Sequence, residues 1–149
     1  MSISFIDTIL DELKDEMLET IQASGNYETS PTVKRGIASW DDTDGKRPYV
    51  WFIPGDVPIE ELMGDRLNAV IEIELHGYAD TDGYGNADKI HKLLKDILYF
   101  LWNDYSRQVS ILGCTIAEGG INEESGQSGF LLSFNVYVCV DTTTIQIIE

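Results

Sequence analysis

The strongest constraint in this sequence is the alternation of apolar and polar residues in RLNAVIEIELHGY, which begins at Arg66. Successive side chains of a β-strand point to opposite faces, so the two sets separate completely. The apolar set is Ala69, Ile71, Ile73 and Leu75, and the polar set is Asn68, Glu72, Glu74 and His76. The pattern predicts a strand in a sheet with one covered and one wetter face, which favours antiparallel pairing.

Two other stretches have helical periodicity, because their apolar residues recur every three to four positions. Ser4 is a candidate N-cap of the first helix, and Asp7 places negative charge near its positive end. The sequence SGN from Ser24 is a stop signal, and Asn86 is a candidate N-cap of the second helix. The two stripes are Ile6, Ile9, Leu10, Leu13, Met17 and Ile21, and Ile90, Leu93, Leu94, Ile97, Leu98 and Leu101.

Four further runs are rich in strand-forming residues. They are TVKRGIASW from Thr32, PYVWFIPG from Pro48, QVSILGCTIAE from Gln108 and GFLLSFNVYVCVD from Gly129. Asp44-Gly45 lies between the first two runs and is a hairpin-turn signal. Pro48 is expected at the start of its strand, because it cannot donate a hydrogen bond inside a sheet. GDVPIEELMGD from Gly55 is expected to be a loop with one helical turn.

The predicted order of elements is therefore α-β-β-β-α-β-β. It indicates an α+β fold, with a mainly antiparallel four- to five-stranded sheet and two helices packed on one face. A chain of 149 residues fits one domain, residues 1–149. The tail TTTIQIIE has no obvious partner inside the domain. Residues 141–149 are expected either to form an extended arm that adds to a neighbour's sheet or to fray or fold back.

Charge and composition exclude several classes of function. The chain has 26 acidic and 10 basic residues and a net charge of -16, which repels nucleic-acid phosphates. No apolar run approaches the ~20 residues that span a bilayer. The acidic N-terminal sequence is unlike an export signal. Cys114 and Cys139 are expected to be small buried thiols in a reduced, cytoplasmic environment, since neither has a CxxC partner.

The stretch GYADTDGYGNADKIHKLL resembles a calcium-binding loop only in part. Its matches to the EF-hand pattern are Asp80, Asp82, Gly85 and Asp88. Tyr84 and His91 stand where the pattern requires ligands, and a strand precedes the loop where an EF-hand has a helix. The sequence therefore favours a polar strand-to-helix loop without a metal ion.

No catalytic motif stands out. His76 and His91 lack ligand spacing, no G-x-S-x-G elbow is present, and the glycine-rich loop lacks the GK[ST] that grips phosphate. We therefore expect neither enzymatic activity nor a cofactor. Tyr99, Phe100 and Trp102 extend beyond the apolar stripe of the second helix, which is typical of an interface.

Four short stretches follow one another along the chain. They are VKRG from Val33, VWFIPG from Val50, ADKIHKLLKDI from Ala87 and FNVYV from Phe134. With the N-terminal helix and the polar loop, this order resembles the tail terminator, or tail completion, proteins of long-tailed bacteriophages. The resemblance extends over nearly the whole chain, although no single stretch is diagnostic.

The resemblance implies a virion protein that assembles in the host cytoplasm as a hexameric ring at the head-proximal end of the tail. Its partners would be further copies, the tail tube protein, the head connector or neck proteins and, in contractile tails, the sheath. DNA would pass through the channel without specific binding. The residues expected at interfaces or the lumen are Asp80, Asp82, Tyr84, Asn86, Glu118, Glu123, Glu124, Ile145 and Ile147. Two alternatives are another neck or head-tail joining protein, and a small acidic ligand-binding protein or enzyme with a deep pocket.

Overall fold

The computed structural model describes residues 4–23, 25–80, 88–117 and 127–148. The two α-helices are α1 (Phe5–Ala23) and α2 (Asp88–Tyr99). The strands are β1 (Thr32–Arg35), β2 (Tyr49–Pro54), β3 (Ile59–Met63), β4 (Arg66–Asp80), β5 (Val109–Ala117) and β6 (Gln127–Asp141). A short 3₁₀ helix occupies Asp41–Thr43, and a π-helical turn, Phe100–Asp104, extends α2. Among the described helices, none has the length and apolar character of a membrane span.

The six strands form one sheet in the order β1-β2-β4-β6-β5, and β3 also pairs with β4. Only the β1–β2 pair is parallel among the described strands. The central pair, β4 and β6, runs in register from Arg66 opposite Asp141 to Asp80 opposite Gln127. The structure thus confirms an α+β fold with a mainly antiparallel sheet, although the number of strands is six instead of four or five.

The predicted hairpin between the first two strands is wrong. β1 and β2 are parallel, with Thr32 opposite Tyr49. Gly45 does turn the chain, with a φ of 74°, but the turn lies within the longer connection, residues 36–48, that joins β1 to β2. Arg47 holds this connection in place by donating to the Trp40 carbonyl (2.8 Å) and to the Thr43 hydroxyl (3.0 Å).

The loop predicted from Gly55 is also wrong, because it contains β3. The Gly55 N–H donates to the Glu72 carbonyl (2.7 Å), so the chain continues along the edge of β4 after β2 ends. β3 then returns into β4 through the two residues Gly64 and Asp65. Gly-Asp is itself a signal for a two-residue hairpin, and it identifies the turn that the sequence reading missed.

The core lies between the two helices and one face of the sheet. Ser4 caps α1 as predicted, because its hydroxyl accepts the Asp7 N–H (3.1 Å). Gly77 allows β4 and β6 to approach, since a Cβ there would lie 2.3 Å from the Phe130 ring. The buried side chains of β4 and β6 on this inner face are Ala69, Ile71, Ile73, Leu75, Phe130, Leu132, Phe134, Val136, Val138 and Val140.

Within the ranges that the structure describes, the opposite, outer face of the sheet is covered only at one end. There the connection between β1 and β2 lies over Trp51, and the Tyr78 hydroxyl donates to the Ala38 carbonyl (3.1 Å). The Trp51 ring is buried and stacks on His76 with ring centroids 3.9 Å apart. The other end of the outer face, on β4 and β6, carries the exposed ring of Tyr137.

Candidate assembly surfaces

The first candidate surface is the bare end of the outer sheet face. Tyr137 on β6 is 40% exposed on this face, whereas Ile59 on β3 pairs with Ala69, is therefore directed to the inner side, and is 53% exposed. An open cavity of about 590 Å³ lies at this end of the sheet and is lined by both residues. Its apolar wall includes Pro58, Ile59, Val70 and Tyr137, and its polar groups include Glu60, Asn68 and Gln108. This combination suits a large side chain that has both an apolar body and a hydrogen-bonding group.

The second candidate surface is the exposed side of α2. Lys95, Tyr99 and Trp102 follow one another at spacings of four and three residues and are all exposed, so they share one side of the helix. Trp102 is 64% exposed, whereas its neighbour Phe100 is fully buried. The prediction that aromatic residues beyond the stripe face outward therefore holds for Tyr99 and Trp102 and is wrong for Phe100. Both residues lie in the π-helical turn, which directs Phe100 into the core and Trp102 toward solvent.

The inner side of α2 contains a buried carboxylate that the sequence reading missed. Asp96 is fully buried and accepts the Glu28 N–H (3.1 Å), the Thr29 N–H (2.7 Å) and the Thr29 hydroxyl. These bonds fasten the chain after α1 to the middle of α2. The available signal was position, because Asp96 lies three residues after Leu93 on the apolar stripe, where an acid needs an internal partner.

The third candidate surface is the edge strand β5. In the described residues no strand pairs with its outer side. Leu112 and Ile116 are exposed on it, and so is Cys114. The expectation that both cysteines are buried is wrong for Cys114 and only partly met for Cys139, which is half-buried. The reason is that β5 lies at the margin of the sheet.

Most of the residues expected in loop contacts fall outside the described ranges. They are Asp82, Tyr84, Asn86, Glu118, Glu123 and Glu124, and their roles stay predictions. Asp80 is described and ends β4. Its carboxylate accepts a hydrogen bond from Arg47 (2.7 Å), whose guanidinium lies over the Trp40 ring. The visible contacts of Asp80 thus stabilise the subunit itself.

The C-terminal segment folds back on its own subunit. Ile147 forms an antiparallel bridge with Val140, and the Ile148 N–H donates to the Cys139 carbonyl (2.8 Å). Folding back was one of the two alternatives expected for this segment, and these contacts agree with it. Ile145 is exposed and has a φ of 54°, which is unusual for a β-branched residue. A role of Ile145 and Ile147 in contacts between subunits stays a prediction.

The described residues also show whether side chains are grouped for metal binding or catalysis. In the ranges that the structure describes, no three His, Cys, Asp or Glu side chains are arranged to hold a metal ion. His76 lies 3.1 Å from the Glu74 carboxylate and stacks on Trp51, so its described contacts are structural. No protein-family model matches this chain, and no relative was found among curated proteins.

Proposed function

We propose that this chain is a structural subunit of a bacteriophage virion. In this proposal it forms a ring at the head-proximal end of the tail tube, stops polymerisation of the tube and provides the surface on which the head docks. One observation carries the proposal furthest. Exposed aromatic side chains lie on two opposite sides of the subunit, Trp102 on the helix layer and Tyr137 on the outer sheet face.

Two different apolar surfaces on one chain suit a ring. A ring is built from head-to-tail contacts, in which one surface of each subunit meets a different surface of the next. Exposed Trp and Tyr residues are frequent anchors of such contacts. A two-fold dimer would need only one self-complementary surface, and the separation of Trp102 from Tyr137 by the sheet favours the head-to-tail arrangement.

The open edge of β5 also supports an assembled state. An exposed edge strand with apolar side chains tends to pair with other chains, and stable monomers normally shorten, charge or cover such edges. β5 has nine residues and exposes both Leu112 and Ile116. A neighbouring subunit or a tail tube protein would cover this edge.

The charge of the chain suits a channel through which DNA moves. Six copies would surround the channel with strongly negative protein, which repels phosphate most at low salt. Three of the four arginines are already bound to carboxylates of the same chain: Arg35 to Asp7 and Asp11, Arg47 to Asp80, and Arg107 to Glu12. Few cationic groups are therefore available to hold a DNA backbone.

The proposal is tested by silencing the gene in the phage that carries it and imaging lysates by electron microscopy. A terminator gives overlong tail tubes beside full heads without tails, and a plasmid copy of the gene restores normal tails. Free tails of normal length would instead assign the protein to the head-tail joint. Fully assembled, infectious particles would overturn both virion functions.

A further inference from the structure

We infer that the exposed side of α2 in one subunit docks on the outer sheet face of the next, with Trp102 inserted into the cavity beside Tyr137. The partner is a second copy of this chain. The inference rests on the proposed ring and specifies the contact that would build it. It joins the exposed aromatic side of α2 to the cavity on the opposite side of the subunit.

Trp102 is presented on a rigid base. Phe100 and Leu101, the two residues before it, are buried in the core. The π-helical turn is closed by a hydrogen bond from the Tyr105 N–H to the Phe100 carbonyl (2.8 Å). Because the backbone beneath the indole is already ordered, its insertion into a partner would lose little conformational entropy.

Tyr99 supports the same surface. Its ring meets the edge of Tyr27 with centroids 5.6 Å apart, and Tyr27 donates a hydrogen bond to the Asp104 carboxylate. Both aromatic rings beside Trp102 are thus held by contacts within their own subunit. The exposed side of α2 therefore presents a preformed aromatic surface.

The cavity has the chemistry that an indole requires. An aromatic side chain of this class buries about 150–250 Å², and a buried indole N–H needs a hydrogen-bond acceptor. Pro58, Val70 and Tyr137 provide apolar contact around a volume of about 590 Å³. Asn68 and Gln108 also line the cavity, and a side-chain amide oxygen can accept the indole N–H.

Charges beside the two surfaces match in sign and spacing. Along α2, Lys95 and Lys92 lie about 10 and 15 Å from Trp102, given a rise of ~1.5 Å per residue. Along β4, Glu72 and Glu74 follow Val70 on the outer face at about 7 and 13 Å, given ~3.3 Å per residue. With Trp102 in the cavity, the two lysines can therefore lie over the two glutamates.

The internal pairs of these lysines do not oppose docking. Lys95 lies 2.8 Å from Glu28, and Lys92 lies 3.0 Å from Asp88. Both pairs are exposed, and exposed ion pairs contribute little to stability. The lysines can therefore turn toward a neighbour at small cost.

The geometry also sets the symmetry of the contact. Trp102 belongs to the helix layer and the cavity to the opposite face of the sheet, so one subunit cannot fill its own cavity. For the same reason two copies cannot fill each other's cavities at once. Each copy gives one indole and receives one, which produces the head-to-tail series that a ring requires.

The test uses the native Cys139, which lines the cavity and is half-buried. In a Cys114→Ser background, Asn103→Cys, which is exposed beside Trp102 and leaves the indole in place, is oxidised and run on a non-reducing gel. We expect a ladder of disulfide-linked oligomers that disappears when Cys139→Ser is added. The matched control is Ile37→Cys in the same background, since Ile37 is also exposed but lies between β1 and the 3₁₀ helix and not on the side of α2. It should give no ladder.

A second measurement follows self-association without a cross-link. Trp102→Ala should weaken self-association, followed by sedimentation, by about thirtyfold or more, as truncation of an aromatic hot spot does. The inference is overturned if Asn103→Cys gives no ladder at the highest soluble concentration, or if Ile37→Cys cross-links equally well. Rings without the ladder would overturn this contact alone. A ladder together with normal infectious particles in the silencing experiment would overturn the proposed function alone.

Discussion

α1 and α2 cover the same face of the sheet, but the polar sides of the two helices are used differently. The acids of α1 bind arginines from other elements: Asp7 and Asp11 hold Arg35, and Glu12 holds Arg107. α2 makes its main polar contact through the buried Asp96 and leaves a basic and aromatic side outward. The polar side of α1 therefore stabilises the subunit, whereas the polar side of α2 is available to a partner.

Among the polar contacts of the two helices, the largest effect on stability should come from Asp96 on the inner side of α2. Asp96→Ala leaves the Glu28 and Thr29 N–H groups without their acceptor, and unsatisfied buried donors are expensive. We expect the free energy of unfolding to fall by about 2–4 kcal/mol in urea titrations. The control is Asp88→Ala, whose pair with Lys92 is exposed and which should change stability by less than about 1 kcal/mol. Equal effects of the two variants would show that Asp96 is not an anchor.

The pair of Glu12 on α1 with Arg107 should contribute less to the free energy of unfolding. Glu12 accepts hydrogen bonds from Arg107 at Nε (2.7 Å) and Nη2 (2.9 Å), and both side chains are largely shielded from solvent. Glu12→Gln removes the charge of this bidentate pair, and we expect a loss of about 1–2 kcal/mol in the free energy of unfolding. Glu19→Gln on the exposed side of α1 serves as the control. A loss no larger than that control would mean that the polar side of α1 is as dispensable as an ordinary surface.

How far the sequence predicts this structure depends on how local each signal is. The alternation in β4 and the stripe of α1 predict the core correctly, because burial imposes its period directly on the residues. The hairpin predicted from Asp44-Gly45 is wrong because a turn signal is local. It does not show whether the strands on either side of the turn pair with each other as antiparallel neighbours. The cavity at Tyr137 could not be predicted, since it forms where β3, β4 and β6 meet, and β3 itself was read as a loop.

Acid should weaken the polar contacts of α1. The hydrogen bond from Arg107 holds the pKa of Glu12 below its usual value, and the hydrogen bond from Arg35 does the same for the pKa of Asp7. A carboxyl group whose pKa is lowered by folding stabilises the protein above its unfolded pKa, ~4.3 for Glu and ~3.9 for Asp. That contribution is lost as the pH falls through the folded pKa.

The measurement is the free energy of unfolding between about pH 6 and pH 3, compared with Glu12→Gln. Wild type should lose stability below about pH 4.5, and the variant should lose less over the same interval. Parallel curves for the two proteins would contradict a role of Glu12 in acid sensitivity.

The smallest effect on stability should come from the outward side of α2. Trp102 is 64% exposed, so Trp102→Ala removes little buried area, and we expect a change within about 0.5 kcal/mol. Phe100→Ala, in the same π-helical turn, removes a fully buried ring and should cost about 3–5 kcal/mol. A large aromatic residue whose removal leaves the subunit unchanged has no role in folding, and its exposure then needs a partner to explain it. A loss above about 2 kcal/mol for Trp102→Ala would instead place Trp102 among the residues that stabilise the subunit, and the proposed contact would lose its free anchor.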